Sequence, residues 1–505
     1  MAISKLYSAE LDGINAKLIE VETDLNVGLH SFSIVGLADK ALSEAKERVS
    51  SAIKNSGLKP PTKENRKITV NLAPADVKKT GSQYDLAIAL GYLLATKQIP
   101  QFDPTDKIFV GELALDGKTR KVNGALNFTL LAKELGISEI YLPPINAKEA
   151  SLVEGVKIIP VASLDEAVNH LAKRRKIAAH QATKFSPKGS HAVDISEIKG
   201  HPAAKRALMI AASGGHNILM SGPPGSGKTM LAQALNSILP PLTLDEAIEI
   251  SQIWSAAGIL QGNYAEERPF RAPHQTASPA SVVGGGSNPR PGEISLAHRG
   301  VLFLDELPEF RRDILEALRQ PLESGKIVIS RAKGNLVFPA RFTLASAMNP
   351  CPCGYYGDPE KECKCTANEV FKYQKKISGP LLDRIDIHIN VPRSKLEQLK
   401  KPTEDSGKIK ESVKRAREVQ QKRFQNAGLR ILTNSEMSSK DCEKLIQLTE
   451  AAEEFIKKIF DSSMLSTRGY YRILKTARTI ADLEETDTLN ENHLAEAFQL
   501  RIKDA

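Results

Sequence analysis

Cysteine is scarce in this sequence, with five among 505 residues, and long apolar runs are missing. No run approaches the roughly 20 residues that a membrane-spanning helix needs. The start, MAISKLYSAELDG, lacks the apolar core of a signal peptide. We therefore expect a cytoplasmic protein without a membrane partner. Thiols stay reduced in the cytoplasm, so clustered cysteines there more often bind metal than form disulfides.

Internal repeats, extended low-complexity tracts and a strong charge of either sign are also absent. The net charge of +9 is mild for this length, so it permits a nucleic-acid partner without requiring one. The hydrophobic fraction of 41% and the charged fraction of 26% are those of an ordinary soluble globular protein. A chain of 505 residues is too long for one hydrophobic core, so we expect several domains.

The order of strand-like and helix-like segments predicts a multidomain α/β protein. Residues 1–172 hold β-branched runs typical of strands, namely AKLIEVETDL, SFSIVGL and KITVNLAP, and a hairpin at the DG pair of FVGELALDGKTRKV. Residues 173–193 are polar and basic without periodicity, which favours a solvated linker over a nucleic-acid contact. A second unit is predicted at 194–393, and residues 394–505 are helical by pattern.

The sharpest motif is NILMSGPPGSGKTMLAQAL, in which an apolar strand leads into a glycine-rich loop and then a helix. The loop matches G-x-x-x-x-G-K-[ST], whose backbone N–H groups close around phosphate oxygens with help from the helix dipole. Lys228 would reach the β- and γ-phosphates of ATP, and the Thr229 hydroxyl would bind Mg²⁺. The predicted nucleotide-binding residues are Gly222, Pro223, Pro224, Gly225, Ser226, Gly227, Lys228 and Thr229.

Two acidic residues follow a second apolar strand, in GVLFLDEL. Residues 301–304 form a continuous apolar run, as a strand buried on both faces should. Asp305 and Glu306 then emerge at its carboxyl end, where open α/β sheets bind ligands. Asp305 would hold Mg²⁺ through water, and Glu306 would polarise the attacking water. Alternatively, the two acids merely cap the next helix.

Three further residues gain meaning from this arrangement. The predicted strand in RFTLASAMNP ends at Asn349, whose neutral side chain could orient water near the γ-phosphate. Arg384 lies in SGPLLDRIDIHI and Arg468 in LSTRGYYRIL. Taken alone, each arginine is more typical of a surface salt bridge.

Taken in order, these motifs resemble those of AAA+ ATPases, and most closely the branch that holds magnesium chelatase ATPase subunits and minichromosome-maintenance helicases. The resemblance implies that Lys228 is the Walker A lysine, that Asp305 and Glu306 form Walker B, and that Asn349 is sensor 1. In that branch additional elements interrupt the core. The stretch ERPFRAPHQTASPASVVGGGSNPRPGEISLAHRG stands where a helix-2 insert belongs, and GKIVISRAKGNLVF resembles the hairpin before sensor 1.

The resemblance extends over essentially the whole chain. DISEIKGHPAAKRAL, FRAPHQTAS, AMNPCPCGYYGD and the N-terminal segment together resemble the bacterial YifB/ComM family of magnesium-chelatase-like proteins. This implies a Lon-protease/S5-like α+β domain, a central AAA+ P-loop α/β domain with a parallel sheet, and a C-terminal helical lid. It also implies that Arg384 is an arginine finger inserted into a neighbouring subunit's site and that Arg468 is sensor 2.

The family implies an ATPase that forms a homo-hexameric ring, assembled with nucleotide or DNA. Its competence-associated members are DNA helicases that drive branch migration in natural transformation, with single-stranded or branched DNA as partner. Two alternatives stay open: an ATPase that remodels proteins, and a magnesium-chelatase-like ATPase subunit that does not move on DNA. Function does not follow from the fold alone.

A basic turn favours the DNA interpretation. Arg331 and Lys333 lie between two alternating strands, where in related ring helicases a hairpin projects into the central pore and holds the phosphate backbone. Motors that thread protein usually carry an aromatic residue on this loop, and none is present here. A solvated hairpin is the alternative. Arg271, His274 and Arg290, in the helix-2 insert, form a second candidate surface for DNA.

The N-terminal domain invites a protease hypothesis, which the residues argue against. KTGSQYDLAIALGYLL and FVGELALDGKTRKVNGALNF resemble the core of Lon proteases, in which a serine and a lysine form the catalytic dyad. The serine position falls on Gln83 and the lysine position on Leu126, while Ser82 is one position away. Neither matched position has the required chemistry, so no protease activity is expected.

Four of the five cysteines occur in MNPCPCGYYGDPEKECKC, directly after Asn349. Four thiolates on one short loop could close a tetrahedral Zn²⁺ site that orders a segment without a core of its own. Reduced free thiols and disulfides are the alternatives, since paired C-x-C is less diagnostic than paired C-x-x-C. The candidate ligands are Cys351, Cys353, Cys363 and Cys365, which would form a structural rather than a catalytic site.

Overall fold

The computed structural model describes residues 2–37, 39–63, 65–189, 193–260, 263–286, 289–331, 334–394, 405–461 and 466–501. The chain divides into two compact units. The first unit comprises Met1–Ser186, Leu244–Glu266 and Arg331–Leu336, and the second comprises Pro187–Thr243, Glu267–Ser330 and Val337–Ala505.

The N-terminal part of the chain alternates strands and helices. Its strands are β1 (Ala2–Asp12), β2 (Asn15–Val27), β3 (Ser31–Val35), β4 (Arg66–Ala73), β5 (Lys107–Phe109), β6 (Glu112–Leu113), β7 (Thr119–Arg120), β8 (Glu139–Leu142) and β9 (Lys157–Pro160). Its helices are α1 (Lys40–Ser43), α2 (Ala45–Asn55), α3 (Asp85–Ala95), α4 (Ala125–Glu134), α5 (Ala147–Ala150) and α6 (Leu164–Leu171).

A mixed sheet with strand order β1-β2-β4-β3 forms the frame of the first unit. β1, β2 and β4 pair antiparallel, and β3 joins β4 in parallel. Buried and less buried residues alternate along β2, as expected for a sheet with one covered face. β2, β3 and β4 contain the runs predicted as strands, and the predicted hairpin turns at Asp116-Gly117, between β6 and β7.

Helix α3 crosses the buried face of this sheet with all its residues buried, as its unbroken run DLAIALGYLLA predicts. The parallel strands β5, β8 and β9 form a second sheet. The described residues 173–189, in the predicted linker, form neither helix nor strand, and most are exposed.

The rest of the chain holds a parallel sheet and a helical C-terminal part. The strands are β10 (Ile218–Ser221), β11 (Phe270–Arg271), β12 (Gly284–Gly285), β13 (Arg290–Pro291), β14 (Val301–Leu304), β15 (Lys326–Arg331), β16 (Gly334–Pro339), β17 (Thr343–Met348), β18 (Ile387–Asn390), β19 (Gln447–Leu448) and β20 (Thr488–Leu489). The helices are α7 (Pro202–Gly214), α8 (Lys228–Ile238), α9 (Leu244–Ala257), α10 (Pro279–Val283), α11 (Glu293–Leu296), α12 (Arg312–Ala317), α13 (Arg319–Ser324), α14 (Ala367–Gln374), α15 (Gly379–Leu382), α16 (Ser406–Asn426), α17 (Ser439–Leu445), α18 (Glu450–Asp461), α19 (Thr467–Leu483) and α20 (Glu491–Gln499).

The central sheet has the order β11-β14-β17-β10-β18, with every neighbouring pair parallel. β14 and β17 are buried along their whole length, as expected for inner strands of a parallel sheet that is covered on both faces, and β14 is apolar throughout. The prediction of a multidomain α/β chain with a parallel P-loop sheet is confirmed. Strands β10, β14 and β17 end side by side, so the residues that follow them meet at one edge of the sheet.

Helices α16 to α20 form the C-terminal part of the second unit. The apolar face of α19 joins the core that α7 and the central sheet also supply. The buried Arg478 of α19 donates to Asp482, one turn further along the helix, and Arg423 of α16 also binds Asp482. Among the described residues, no helix is both long enough and apolar enough to cross a bilayer.

Helix α9 belongs to the first unit although it follows α8 of the second unit in the chain. Its residues contact the start of α4: the Gly124 N–H donates to the Ser255 carbonyl at 3.0 Å. The Asn127 side chain donates to the Gln252 carbonyl at 3.1 Å. No sequence motif indicated that α9 packs in the first unit, because the apolar face of a helix does not show which hydrophobic core it covers.

Candidate functional site

The glycine-rich loop connects the end of β10 to the start of α8. Gly222 passes so close to the Val391 carbonyl that any Cβ at this position would collide with it. Gly227 has a φ of +87° and precedes the first helical residue, Lys228. Glycine is required at these two positions for different reasons, namely close approach and a left-handed backbone. The sequence therefore builds a tight loop at the N-terminus of a helix, as a phosphate site requires.

Lys228, the first residue of α8, directly follows this loop and bonds back to it. Its ammonium group donates to the carbonyls of Gly222 at 2.7 Å and Pro223 at 2.9 Å, and to the Asn349 side-chain oxygen at 3.3 Å. Burial lowers the pKa of Lys228, while nearby Asp305 and Glu306 raise it. The predicted sensor, Asn349, is thus within hydrogen-bond reach of the predicted Walker A lysine.

Thr229 and Asp305 come together beside the loop. The Thr229 hydroxyl donates to the Asp305 carboxylate at 2.9 Å, although 76 positions separate the two residues. Oxygen donors of this kind are what Mg²⁺ prefers. The adjacent lysine would face the phosphates to which such an ion is bound. These donors fit a magnesium–nucleotide complex.

Glu306 follows Asp305 in a left-handed backbone conformation, with a φ of +53°. A residue other than glycine adopts this conformation at a cost of about 1–2 kcal/mol, and such strain is concentrated at functional sites. Glu306 lines a cleft of about 450 Å³ together with Asn349 and Tyr373. Glu309 and Lys376 line the same cleft and pair at 2.9 Å. The two predicted water-handling side chains, Glu306 and Asn349, therefore face one cavity.

The predicted finger, Arg384, and the predicted sensor 2, Arg468, converge on one carboxylate. Arg384 is 7% exposed and donates to Glu323 and, at 2.7 Å, to the Pro380 carbonyl. Arg468 donates to the other carboxylate oxygen of Glu323 at 2.6 Å. The hydrogen bond from Arg384 lowers the pKa of Glu323, so the carboxylate stays ionised between the two cations.

This arginine pair lies near the amino ends of the sheet strands, whereas the glycine-rich loop lies at their carboxyl ends. β10 and β18 are parallel and in register, with Ile218 opposite Ile387. The loop follows the carboxyl end of β10, whereas Arg384 precedes the amino end of β18. The side chain of Asn217, just before β10, donates to the Arg384 carbonyl at 3.1 Å. From Asn217 to Gly222 an extended chain covers roughly 16 Å.

The structure therefore sorts the predicted catalytic residues into two groups. The first group surrounds the loop: Lys228, Thr229, Asp305, Glu306 and Asn349. The second group is the arginine pair with Glu323. Among the residues that the structure describes, the hydrogen-bond and ion-pair partners of Lys228 and Thr229 include no member of the second group.

Glu323 and the buried Asp386 were not found from the sequence. Glu323 lies 61 positions from Arg384 and 145 positions from Arg468, in a segment without a motif. Arg472, one turn after Arg468, donates to Asp386 and, at 3.0 Å, to the Arg384 carbonyl. Burial would raise the pKa of Asp386, but Arg472 and His216 together hold it well below its usual value.

The four clustered cysteines face one another directly after Asn349. Their Sγ atoms all lie within 4.8 Å of each other, and the closest pairs are 3.4–3.7 Å apart. Four sulfurs placed tetrahedrally at about 2.3 Å from Zn²⁺ would be about 3.8 Å apart. A disulfide requires about 2.05 Å, and all four cysteines are free. Their arrangement therefore fits a four-thiolate metal site.

The strands β15 and β16 pair as a two-stranded sheet at the predicted hairpin. Arg331 ends β15, and Lys333 lies outside the described residues. Leu336 of β16, which like Gly13 belongs to the first unit, is buried against Gly13. In the second candidate surface, Arg271 is held by Glu293 through two hydrogen bonds of 2.6 and 2.7 Å, so its charge is already paired.

The positions matched to the protease dyad hold no such pair. Gln83 donates to the buried carboxylate of Glu10 at 3.0 Å. Leu126 is fully buried in an apolar cluster. Ser82 donates to Glu112, so its partner is an acid rather than a lysine. The matched positions therefore hold neither a serine nor a lysine, and the absence of protease activity stays a prediction.

Comparisons with known proteins agree with the motifs. Residues 194–399 match the family model described as magnesium chelatase, subunit ChlI. Residues 21–146 match subunit ChlI of Mg-chelatase, and residues 403–501 match its C-terminal model.

Two of the relatives are similar over essentially the whole chain, and a third is similar over part of it. Competence protein ComM of Haemophilus influenzae is 42% identical over 99% of this chain and 98% of its own length. The uncharacterized protein YifB of Escherichia coli is 40% identical over 100% of this chain and 98% of its own. The magnesium-chelatase 38 kDa subunit of Rhodobacter capsulatus is 28% identical over 34% of this chain and 55% of its own.

Proposed function

The chain belongs to the ComM/YifB family of magnesium-chelatase-like AAA+ ATPases, and we propose that it is an ATP-driven motor that acts on DNA as a homo-hexameric ring. The observation that carries the ring is the placement of Arg384 and Arg468 at the sheet edge opposite the phosphate loop. Arginines placed there cannot complete their own subunit's site. We further propose that the protein is cytoplasmic and that it drives branch migration in recombination or natural transformation.

The residues around the loop would bind and hydrolyse ATP. Backbone N–H groups of residues 222–227 and the Lys228 ammonium would hold the phosphates, and Thr229 with Asp305 would position Mg²⁺. The bound ion neutralises charge on the phosphates during transfer. Glu306, at the wall of the cleft, would accept a proton from the attacking water, which Asn349 would orient.

The arginine pair would act on the neighbouring subunit's nucleotide. An arginine supplied by a neighbour stabilises the charge of the transition state and typically contributes about 10³–10⁵ in rate. The substitution Arg384→Ala should therefore leave ATP binding intact and abolish turnover. Wild-type turnover by this variant would contradict the ring.

The DNA partner is supported by the similarity to competence protein ComM of Haemophilus influenzae and by the basic residues Arg331 and Lys333 in the sequence. Arg331 and Lys333 would hold the phosphate backbone by charge without reading bases. Fluorescence anisotropy with forked and single-stranded DNA should give weaker binding and a flatter salt dependence for the Arg331→Ala, Lys333→Ala double variant. Binding as tight as wild type would count against this assignment.

A structural Zn²⁺ is the third part of the proposal. Cys351, Cys353, Cys363 and Cys365 would all be ligands, which leaves no open position for catalysis. The fit between their sulfur separations and a tetrahedral site supports this role. The ion would order the loop that begins just after Asn349.

Branch migration by the purified protein tests the proposed function directly. A synthetic Holliday or three-stranded junction with labelled strands, ATP and Mg²⁺ should be converted to products by the wild type and not by Arg384→Ala. ATP hydrolysis without strand movement on either junction would favour the alternatives, a protein-remodelling or chelatase-like ATPase subunit. A wild-type protein that does not hydrolyse ATP under any of these conditions would overturn the motor itself.

A further inference from the structure

Glu323, at the end of α13, is half exposed and bridges two arginines from distant parts of the chain. We propose that Glu323 is a positioning residue that holds Arg384 and Arg468 side by side, so that both guanidinium groups reach the nucleotide of one neighbouring subunit. This inference rests on the proposed function, because it assigns a task to arginines that act between subunits. Glu323 itself is not a catalytic residue.

The need for such a residue follows from charge. Two guanidinium cations bound to one carboxylate repel each other, and without that carboxylate each would turn toward solvent. A carboxylate whose two oxygens are each bound to one arginine offsets this repulsion and fixes the direction of both side chains. Arg384 is buried, whereas Arg468 is 40% exposed, so Glu323 is the partner that orients the more exposed cation.

The backbone around Arg384 is fixed by other contacts. Its carbonyl accepts hydrogen bonds from Asn217 at 3.1 Å and from Arg472 at 3.0 Å. Arg472 lies on α19, the helix that also carries Arg468. The fold at this edge of the sheet therefore does not depend on Glu323, and its removal should change the orientation of the arginines rather than the stability of the unit.

A first experiment measures steady-state ATP hydrolysis of Glu323→Gln and Glu323→Asp. Loss of the charge in Glu323→Gln should lower kcat about 10-fold or more, with KM and the affinity for a fluorescent ATP analogue unchanged, because orientation rather than binding is lost. Glu323→Asp keeps the charge and should recover part of kcat. The matched control is Glu316→Gln, which removes a surface carboxylate paired with Arg319 at 2.8 Å.

Equal kcat for Glu323→Gln and Glu316→Gln would overturn the inference. A fall in melting temperature or ring assembly that accounts for the lost rate in Glu323→Gln would do the same, since it would indicate a structural role only.

A second experiment tests whether the Glu323→Gln substitution lowers ATP hydrolysis at the subunit's own site or at the site of its neighbour. Glu323→Gln subunits keep an intact phosphate loop, and Glu306→Gln subunits keep an intact arginine pair while lacking the proposed base. In mixed rings, some sites combine the phosphate loop of a Glu323→Gln subunit with the arginine pair of a neighbouring Glu306→Gln subunit. Such a site contains no substituted residue and is complete. The mixture should therefore hydrolyse ATP faster than the sum of the two variants assayed separately, with co-assembly verified by two affinity tags.

The reference mixture is Arg384→Ala with Glu306→Gln. Recovery in the reference mixture but not with Glu323→Gln would overturn the role of Glu323 and leave the ring intact. Failure of both mixtures, with an active wild type, would contradict the action of the arginines between subunits and the inference with it.

Discussion

Gly354 lies directly against Pro224: a Cβ at Gly354 would lie 2.6 Å from the Pro224 Cδ atom. Pro224 belongs to the phosphate loop, and Gly354 follows Cys353, the second cysteine of the four-cysteine cluster. The segment proposed to hold Zn²⁺ is therefore packed against the segment proposed to hold ATP. We therefore expect a change in either segment to affect the other through this contact.

The first prediction concerns this contact. Gly354→Ala should weaken ATP binding, because the new methyl group must displace Pro224 or the cysteine loop. The matched control is Gly357→Ala: both glycines have positive φ, +84° and +74°, but at Gly357 a Cβ would meet no atom within 4 Å. The two variants thus share the backbone strain of roughly 1–2 kcal/mol. Titration with a fluorescent ATP analogue measures the difference, and equal affinities would show that the contact is unimportant.

The second prediction separates two acids in the cleft beside Asn349. Glu306→Gln should bind ATP and hydrolyse it at least about 100-fold more slowly, as expected when a general base is lost. Glu309→Gln removes a carboxylate of the same cleft that is paired with Lys376, and should hydrolyse ATP close to the wild-type rate. Single-turnover hydrolysis distinguishes them. A similar loss in both variants would indicate that the cleft needs negative charge rather than a base at Glu306.

The third prediction concerns metal removal. Purified protein should contain about one zinc per chain, and chelation should lower the melting temperature, because metal binding contributes to the folding free energy of such loops. Through the contact between Gly354 and Pro224, chelation should also weaken ATP binding. Cys363→Ser is the matched variant, and Cys442→Ser, at the buried cysteine outside the cluster, is the control. Zinc-free protein with unchanged melting and ATP affinity would refute the site.

The fourth prediction concerns the N-terminal unit. Ser82→Ala should leave casein intact in the presence of ATP, as the wild type does, because the Ser82 hydroxyl is bound to Glu112 and no lysine occupies the matched position. Its ATPase rate should equal that of the wild type. ATP-dependent cleavage by the wild type that is lost in Ser82→Ala would establish a protease.

Sequence reasoning reached the parts of the site that depend on contiguous residues. The glycines of the loop before Lys228 predict its conformation directly. The apolar run of β14 predicts a buried strand, and the two acidic residues that follow it mark the end of that strand. It did not reach Glu323, because an isolated glutamate has no pattern and its partners are 61 and 145 positions away. Nor did it indicate that Arg468 of α19 shares Glu323 with Arg384, which lies in the turn after α15, since residues so far apart in the chain are brought together only by tertiary packing.

The assignment of α9 to the first unit was missed for a related reason. A helix in the middle of one predicted domain is expected to pack there. Hydrogen bonds such as that from Gly124 to Ser255 are set by tertiary structure and leave no trace in the local sequence. The four cysteines were visible as a cluster, but their separations, which distinguish thiolate ligands from disulfides, required coordinates.

In the proposed ring, the phosphate loop of one subunit meets the arginines of the next, so each subunit is directional. Copies related by a two-fold axis would bring loop against loop, so the contact that completes a site is heterologous and head-to-tail. An open row of such subunits always ends in a loop without arginines and therefore has one working site fewer than it has subunits. In the proposed assembly only closure into a ring gives every subunit a complete site, so we expect ring closure and full catalytic capacity to be reached together.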